Sequence, residues 1–354
     1  MEKNSSLLFY TYADKRYAIF ALPYAYFALR NNPSARVEIL LEDAKEFQKV
    51  YSGGIRVLNE LFPHQVTFTQ SRTPRNAHVI PNTIRFIEQP TSRAEYLYIG
   101  DIDIMVMDDV LDIHLSYMRK FTLPFSNVIR QASPTPRLTG LHFCRFTDYY
   151  PLPDISDLDL STRNDENVLY EIMRRKNLMV PSSFRHRPEC GIHMSLSRDP
   201  LGRTSGSRSA TFSPDAQLGW GGRKHYRSFL NQITEPTFLA LYPHLDIEFR
   251  ALQLLQEAVA TERLHALQRF ALAYLLDKRI FVDSLPESRS ALLQRFHQAR
   301  AQGETHVAIH IGRKLSMLWP LNASIWNLYA EALDDAGLDI IAAEARIHGS
   351  ELLH

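Results

Sequence analysis

Cysteine is nearly missing from this 354-residue chain: Cys144 and Cys190 are its only two, and no Cys-x-x-Cys spacing occurs. That excludes a disulfide framework and fits a reducing compartment. An excess of charge of either sign is also missing. Forty basic residues against 39 acidic ones leave +1, so no global field recruits nucleic acid, and nucleic acid is not an expected partner. There is no run of eighteen apolar residues, hence no expected membrane-spanning helix. The polar stretch Met1 to Ser6 lacks the basic and then apolar pattern of a secretion leader. These absences together predict a cytoplasmic protein that meets any lipid-linked substrate at the inner membrane face. What is present, 45% hydrophobic and 22% charged residues, describes a globular chain long enough for two domains.

The first hundred residues alternate between strand-like and helix-like runs. Leu7–Tyr12, Val37–Leu41 and Val66–Thr69 read as strands. Arg16–Leu29, stopped by Asn31-Asn32-Pro33, and Ala44–Leu61 read as helices between them. Alternation of this kind predicts an α/β fold with a mostly parallel sheet and helices on both faces. Ligands of such sheets sit outside the carboxyl ends of the strands. Further along, Glu95–Gly100 and Gly191–Ser195 read as strands and Asp165–Arg175 as a helix. Arg198–Asp215, rich in Gly, Ser, Arg and Pro without periodicity, reads as a loop.

From Asp246 onward strand signals fade and helical patterns take over, which predicts an all-helical C-terminal region. Gly303 and Gly337, Ala308 and Ala342, and Leu292 and Trp326 each recur at an interval of 34. That is the period of tetratricopeptide repeats, and Pro320 sits where such a unit ends. The expected division is 1–235 for an α/β domain, 236–285 for a helical connection and 286–354 for tetratricopeptide-like repeats. Stacked helical pairs offer a surface for a partner, for a second copy of the chain or for peripheral membrane contact.

The chemistry concentrates at Asp101-Ile102-Asp103, directly after the apolar strand Tyr96-Leu97-Tyr98-Ile99. In an extended backbone, residues two apart share a face, so both carboxylates would project into the crevice. Paired carboxylates repel unless a cation separates them, and a hard divalent ion such as Mn²⁺ or Mg²⁺ takes oxygen ligands and phosphate oxygens alike. Such an ion would stabilise a departing diphosphate.

At these residues the chain resembles the GT-A glycosyltransferases and, more loosely, glycosyltransferase family 8. The family's turn after the first strand, Thr-x-x-Asp-x-x-Tyr, is matched by Thr11, Asp14 and Tyr17, and an arginine upstream of the Asp-x-Asp strand by Arg85. Where family 8 reads Tyr-Leu-Asp-x-Asp, this chain reads Tyr98-Ile99-Gly100-Asp101-Ile102-Asp103, one residue longer. The resemblance spans roughly the first 230 residues. It implies a Rossmann-like GT-A sheet and a metal-dependent, retaining transfer from a nucleotide-sugar donor, a UDP-sugar favoured, to a saccharide or glycolipid. Thr11, Asp14, Tyr17, Arg85, Asp101 and Gly140 would contact the donor, while Asp165 and Glu166 would face the sugar and acceptor hydroxyls. Asp101, Asp103 and a late histidine, His193 before His225, would hold the metal. The cluster Trp220-Gly221-Gly222-Arg223-Lys224 reads from its chemistry as a diphosphate clamp through Lys224. Two other readings stand beside this one. A nucleotidyltransferase would want a Gly- and Arg/Lys-rich loop where Thr11–Lys15 stands, and a non-catalytic scaffold would use only the helical tail.

Overall fold

The computed structural model describes residues 6–74, 77–131, 135–180, 182–194, 222–246, 249–250, 253, 289–319 and 322–351. They fall into two compact units, Met1–His193 and Met194–His354. The loop expected over Arg198–Asp215, Trp220-Gly221 and most of the stretch 236–285 lie outside the described residues.

The first unit is built on a six-stranded mixed sheet ordered β3-β2-β1-β4-β9-β6. Strands β1 (Leu7–Ala13), β2 (Arg36–Leu41), β3 (Val66–Gln70) and β4 (Tyr96–Ile99) run parallel. Strands β9 (His142–Arg145) and β6 (Phe125–Ser126) add antiparallel pairs at the β4 side. Every residue of β1 is buried, as expected of a parallel strand covered on both faces. The chain winds outward from β1 to β3, then returns to place β4 on the other side of β1. The reversal opens a crevice beyond the carboxyl ends of β1 and β4, where ligands of such sheets bind.

Helix α1 (Ala21–Asn31) follows a 3-10 turn at Tyr17–Phe20. The expected helix over Ala44–Leu61 is two helices, α2 (Ala44–Val50) and α3 (Ser52–Leu61), broken at Tyr51. The break precedes Gly53-Gly54, where two glycines together weaken helical continuity. Helix α4 (Ile84–Ile87) packs on β1. Helix α5 (Val110–Phe121) starts at an Asp109 cap that accepts from Leu111 N and Asp112 N. Helix α6 (Phe146–Tyr149) is a single turn, and α7 covers Asp165–Arg175, as its sequence pattern predicts. Two short antiparallel ribbons complete the unit: β5 (Ile104–Val106) with β10 (Gly191–His193), and β7 (Ile129–Arg130) with β8 (Arg137–Leu138).

Two side-chain amides at the end of α1, half-buried Asn31 and buried Asn32, fix the segment that follows the Asp-x-Asp residues. Asn31 Nδ2 donates to the Val106 carbonyl at 2.9 Å, and Asn32 bonds both Val110 N and the Asp108 carbonyl. A satisfied buried amide specifies one arrangement, because any other would strand its polar atoms.

The second unit is helical in its described residues: α8 (Gly222–Gln232), α9 (Pro236–Leu241), then α10 (Arg289–Ala301), α11 (Thr305–Leu318), α12 (Ala323–Asp334) and α13 (Asp339–Glu351). Helices α10–α11 and α12–α13 form two hairpins of matching lengths, offset by the interval between Gly303 and Gly337. Both glycines adopt the left-handed backbone, at φ +70° and +71°, where a side chain would be strained.

A carboxylate and arginine cluster at the carboxyl end of the central strand

Asp101 and Asp103 lie where β4 ends. The pleat argued from sequence does not bring them together: residues 102 and 103 form a turn, closed by Ile104 N donating to the Asp101 carbonyl at 3.2 Å. The turn serves because β5 leaves the sheet to pair with β10, and no extended continuation of β4 exists. Asp103 is buried at 4% exposure, while the Asp101 side chain keeps 33%. Asp101 is the more solvent-accessible of the two carboxylates.

Asp101 is met by a guanidinium and Asp103 by an imidazole. Arg85 Nη2 lies 2.8 Å from Asp101 Oδ1 and 3.1 Å from Asp165 Oδ2, and it also reaches the Gly140 carbonyl at 3.4 Å. The guanidinium is itself buried, rests on the Phe86 ring at 4.5 Å and has an Nε without a hydrogen-bond partner. His193 Nε2 lies 3.1 Å from Asp103 Oδ2. Burial pushes the Asp101 carboxyl up, with Asp103 adding to the rise and Arg85 opposing it. Burial acts in the same sense on Asp103, but the charge and hydrogen bond of His193 outweigh it and bring that carboxyl below its ordinary value.

The glycine at 140 is required by this packing. A Cβ there would stand 2.9 Å from Arg85 Nη2 and 3.3 Å from Asp101 Oδ2. Buried Asn127, which carries no sequence signal, holds the same backbone: its Oδ1 accepts from Thr139 N and Oγ1, and its Nδ2 donates to the Thr139 carbonyl. Asp165 is presented at the start of α7, where Asn164 caps the helix by accepting from Glu166 N at 2.8 Å. Glu166 pairs with Arg137 at 3.4 Å, and burial raises its carboxyl above the ordinary value against that pull.

The remaining residues expected at the site are distributed differently. Thr11 is fully buried, its hydroxyl donating to the Gly100 carbonyl at 2.9 Å, so it ties β1 to β4. Asp14 organises the turn after β1: its Oδ1 accepts from Tyr17 N at 2.9 Å and its carbonyl from Ala18 N at 3.0 Å. Half-buried Tyr17 packs on Phe20. Beside this turn, Asp14, Lys15, Glu42, Phe47 and Tyr51 line a cavity of about 350 Å³. A larger cavity, about 880 Å³, is lined by Ser6, Arg93, Glu95 and Phe146 at the amino ends of β1 and β4. That is the wrong end of a parallel sheet for a ligand. Lys224 and His225 belong to the second unit, on α8, the first exposed and the second buried.

Three residues at the cluster escape a sequence reading. Tyr24 is fully buried with a hydroxyl lacking a partner, and burial and then the Asp101 charge raise its pKa. Arg187 bonds the Thr139 hydroxyl at 3.4 Å, and Arg137 pairs with Glu166. The sole hint in the sequence is that Arg137 precedes Thr139-Gly140 by two residues.

No protein-family model matches the chain, and no curated protein does. Among solved structures, the chain is similar to the galactosyltransferase LgtC in complex with donor and acceptor sugar analogs, at 12% identity. That match covers 61% of this chain and 96% of the other, with a TM-score of 0.30. The mannosyltransferase PcManGT from Pyrobaculum calidifontis, in complex with GDP-Man and Mn²⁺, matches at 14% identity. It covers 98% of this chain and 88% of that one, with a TM-score of 0.36. Likeness at this level leaves the chemistry to be argued from the residues themselves.

Two carboxylates are the donors that a hard divalent cation takes, and an imidazole is a borderline donor that the softer Mn²⁺ accepts more readily than Mg²⁺. Among the described residues, no three His, Cys, Asp or Glu side chains are already arranged to hold a metal ion. The geometry explains why: Asp101 is drawn to Arg85 and Asp103 to His193. The set fits Mn²⁺ or Mg²⁺ in chemistry, and a cation would compete with those two pairings.

The third donor depends on Gly191. A Cβ there would lie 2.2 Å from the Met105 carbonyl oxygen, a backbone clash that β5–β10 pairing cannot absorb. Gly191→Ala is expected to lower stability by about 2 kcal/mol or more and to uncouple His193 from Asp103. A thermal melt checks the first effect, and a crystal structure of the variant, in which His193 Nε2 should no longer lie within hydrogen-bond distance of Asp103 Oδ2, checks the second.

Proposed function

We propose that the chain is a metal-dependent glycosyltransferase of the GT-A type that moves a sugar from a nucleotide-diphosphate sugar to a saccharide or glycolipid. The observation that carries this reading is the pair Asp101 and Asp103 at the β1/β4 crevice, bound into one cluster with Arg85, Asp165 and His193. Paired carboxylates at the carboxyl ends of strands, with a histidine in reach, suit a divalent cation and the diphosphate it would carry.

In this reading Asp101, Asp103 and His193 hold Mn²⁺ or Mg²⁺, which supplies Lewis-acid stabilisation of the departing nucleoside diphosphate. Arg85 holds Asp101 and Asp165 in register, so that the donor and the group facing its sugar hydroxyls are positioned by one buried guanidinium. Gly140 allows backbone to approach the donor sugar. Glu166, with its raised carboxyl, faces the acceptor. Asp14 lines the cavity that receives the nucleoside and holds the turn that carries Tyr17, and the Phe47 and Tyr51 rings offer an apolar wall; a UDP-sugar is the favoured donor. Retention is the proposed stereochemical course. The catalytic region is taken as 1–235, with a helical connection at 236–285. The hairpins within 286–354 are read as tetratricopeptide-like, supported by their matched offset and left-handed glycines.

A donor panel tests the reaction. Incubating the full chain with UDP-, GDP- and CDP-sugars should consume one of them with Mn²⁺ and none with EDTA. Equal consumption in EDTA would remove the metal role. No consumption or binding of any donor by the folded chain would favour the scaffold reading.

A further inference from the structure

The β7–β8 ribbon carries a feature that the proposed reaction does not use. Arg130 and Arg137 are register partners on antiparallel strands, so they stand directly opposite one another. Ile129 and Leu138 form the buried pair beside them, while Arg130 is exposed and Arg137 half-buried. Like charges directly opposite destabilise a strand pair. Such a pair persists where something else compensates.

Among the described residues that compensation is thin. One carboxylate answers the two guanidiniums, Glu166 Oε2, at 3.4 Å from Arg137 Nη1. The Nε of Arg137 is buried and has no hydrogen-bond partner. A guanidinium carries five donors in a planar fork, and an unmet buried donor costs free energy. Two positive charges and a stranded N–H thus surround a single acidic group. The placement adds meaning, since Glu166 adjoins Asp165, which shares Arg85 with Asp101. The arginine pair therefore borders the place where the two sugars would meet.

We propose that Arg130 and Arg137 bind the carboxylate of an acidic sugar, a uronic acid carried by either the donor or the acceptor. A carboxylate matches the guanidinium fork through two parallel N–H···O bonds. It would supply the missing counter-charge to exposed Arg130 and to the outer nitrogens of half-buried Arg137. This inference rests on the glycosyltransferase reading and narrows its substrate to a charged sugar.

Two arms distinguish the source of the carboxylate. In the first, UDP-glucuronate competes with UDP-glucose, and GDP-mannuronate with GDP-mannose, for the Mn²⁺-loaded full chain. In the second, free glucuronate and glucose are titrated into the same protein saturated with Mn²⁺ and the nucleoside diphosphate it prefers. At least ten-fold tighter binding of the uronate is expected in one arm, and that arm names the sugar. Arg130→Gln, on an exposed position that tolerates change, should abolish the preference, as should Arg137→Gln. Arg137→Lys should restore part of it, because a point charge replaces the fork. Equal binding of charged and neutral sugars in both arms, or a preference that survives both glutamine variants, would overturn the inference. Failure to bind any nucleoside diphosphate with Mn²⁺ would instead strike the glycosyltransferase reading, while glucuronate titrated alone still reports on the two arginines.

Discussion

Asp103→Asn is expected to cut Mn²⁺-dependent donor turnover about a thousand-fold while lowering the melting temperature in EDTA only modestly. The two halves of that result have different causes. A catalytic cation is worth several kcal/mol of transition-state charge stabilisation, and about 1.4 kcal/mol is a factor of ten in rate. Losing one carboxylate ligand removes much of that. Without metal, the buried Asp103 charge is held by His193, which keeps its carboxyl below the ordinary value. Asparagine gives up that charge, but it relieves the repulsion with Asp101 and keeps an oxygen for His193, so the loss of stability is small. A residue that merely held the fold would show a large loss of melting temperature, with turnover falling only in proportion. Steady-state turnover and a melt on the same preparation separate the two outcomes. Retention of most of the metal-dependent rate in a folded variant would sink the metal assignment.

The first unit is also expected to lose roughly 4 kcal/mol of stability between pH 7 and pH 5. His114 and His142 are both fully buried. His114 lies between Ser126 Oγ at 2.8 Å and Cys190 Sγ at 3.7 Å, and packs against Phe143. His142 stands beside Asn127 and packs against Phe125. Burial pushes each imidazole down to about 3. An unfolded histidine titrates near 6.5. Between those values the unfolded chain binds a proton that the folded chain refuses, so stability is complete above about 6.5 and falls as pH drops toward 3. Each histidine contributes a slope of about 1.4 kcal/mol per pH unit in that window. All three tryptophans lie beyond residue 193, so tyrosine near-ultraviolet circular dichroism is the probe for this unit. Urea unfolding at pH 7, 6 and 5 checks the slope, and a flat midpoint would show the rings to be charged or solvated.

The elements legible in the sequence are those set by local rules. The apolar run of β1, the short apolar β4 and the capped start of α7 at Asn164 each announce themselves within a few residues. The parallel order follows from their alternation, and the position of Asp101 and Asp103 from the end of β4. Contacts set by distant pairing were not legible. Asn127 reaches Thr139 only because β6 and β9 pair antiparallel, and Arg137 reaches Glu166 because β8 packs on α7. No window of sequence contains both partners. The Asp-x-Asp carboxylates illustrate a right placement reached through a wrong local cause, since a turn replaces the expected pleat. Arg85 was found through a resemblance, yet its triple engagement of Asp101, Asp165 and Gly140 depends on three separate segments converging. Thr11 shows the converse: its position matched a motif, and its hydroxyl is committed to Gly100.

The central claim is that the Asp101–Asp103 cluster binds a nucleoside diphosphate through a divalent cation. The most direct test is a thermal-shift series of the full chain with UDP, GDP and CDP, each with Mn²⁺ and with EDTA, alongside Asp103→Asn. A nucleotide at a hundred times its dissociation constant should stabilise the protein by about 2.7 kcal/mol, a rise of a few degrees at this size. The account predicts that one nucleotide produces this rise, only with Mn²⁺, and that the asparagine variant loses it. A shift that persists in EDTA or in the variant, or no shift with any nucleotide in a cooperatively melting protein, would contradict it.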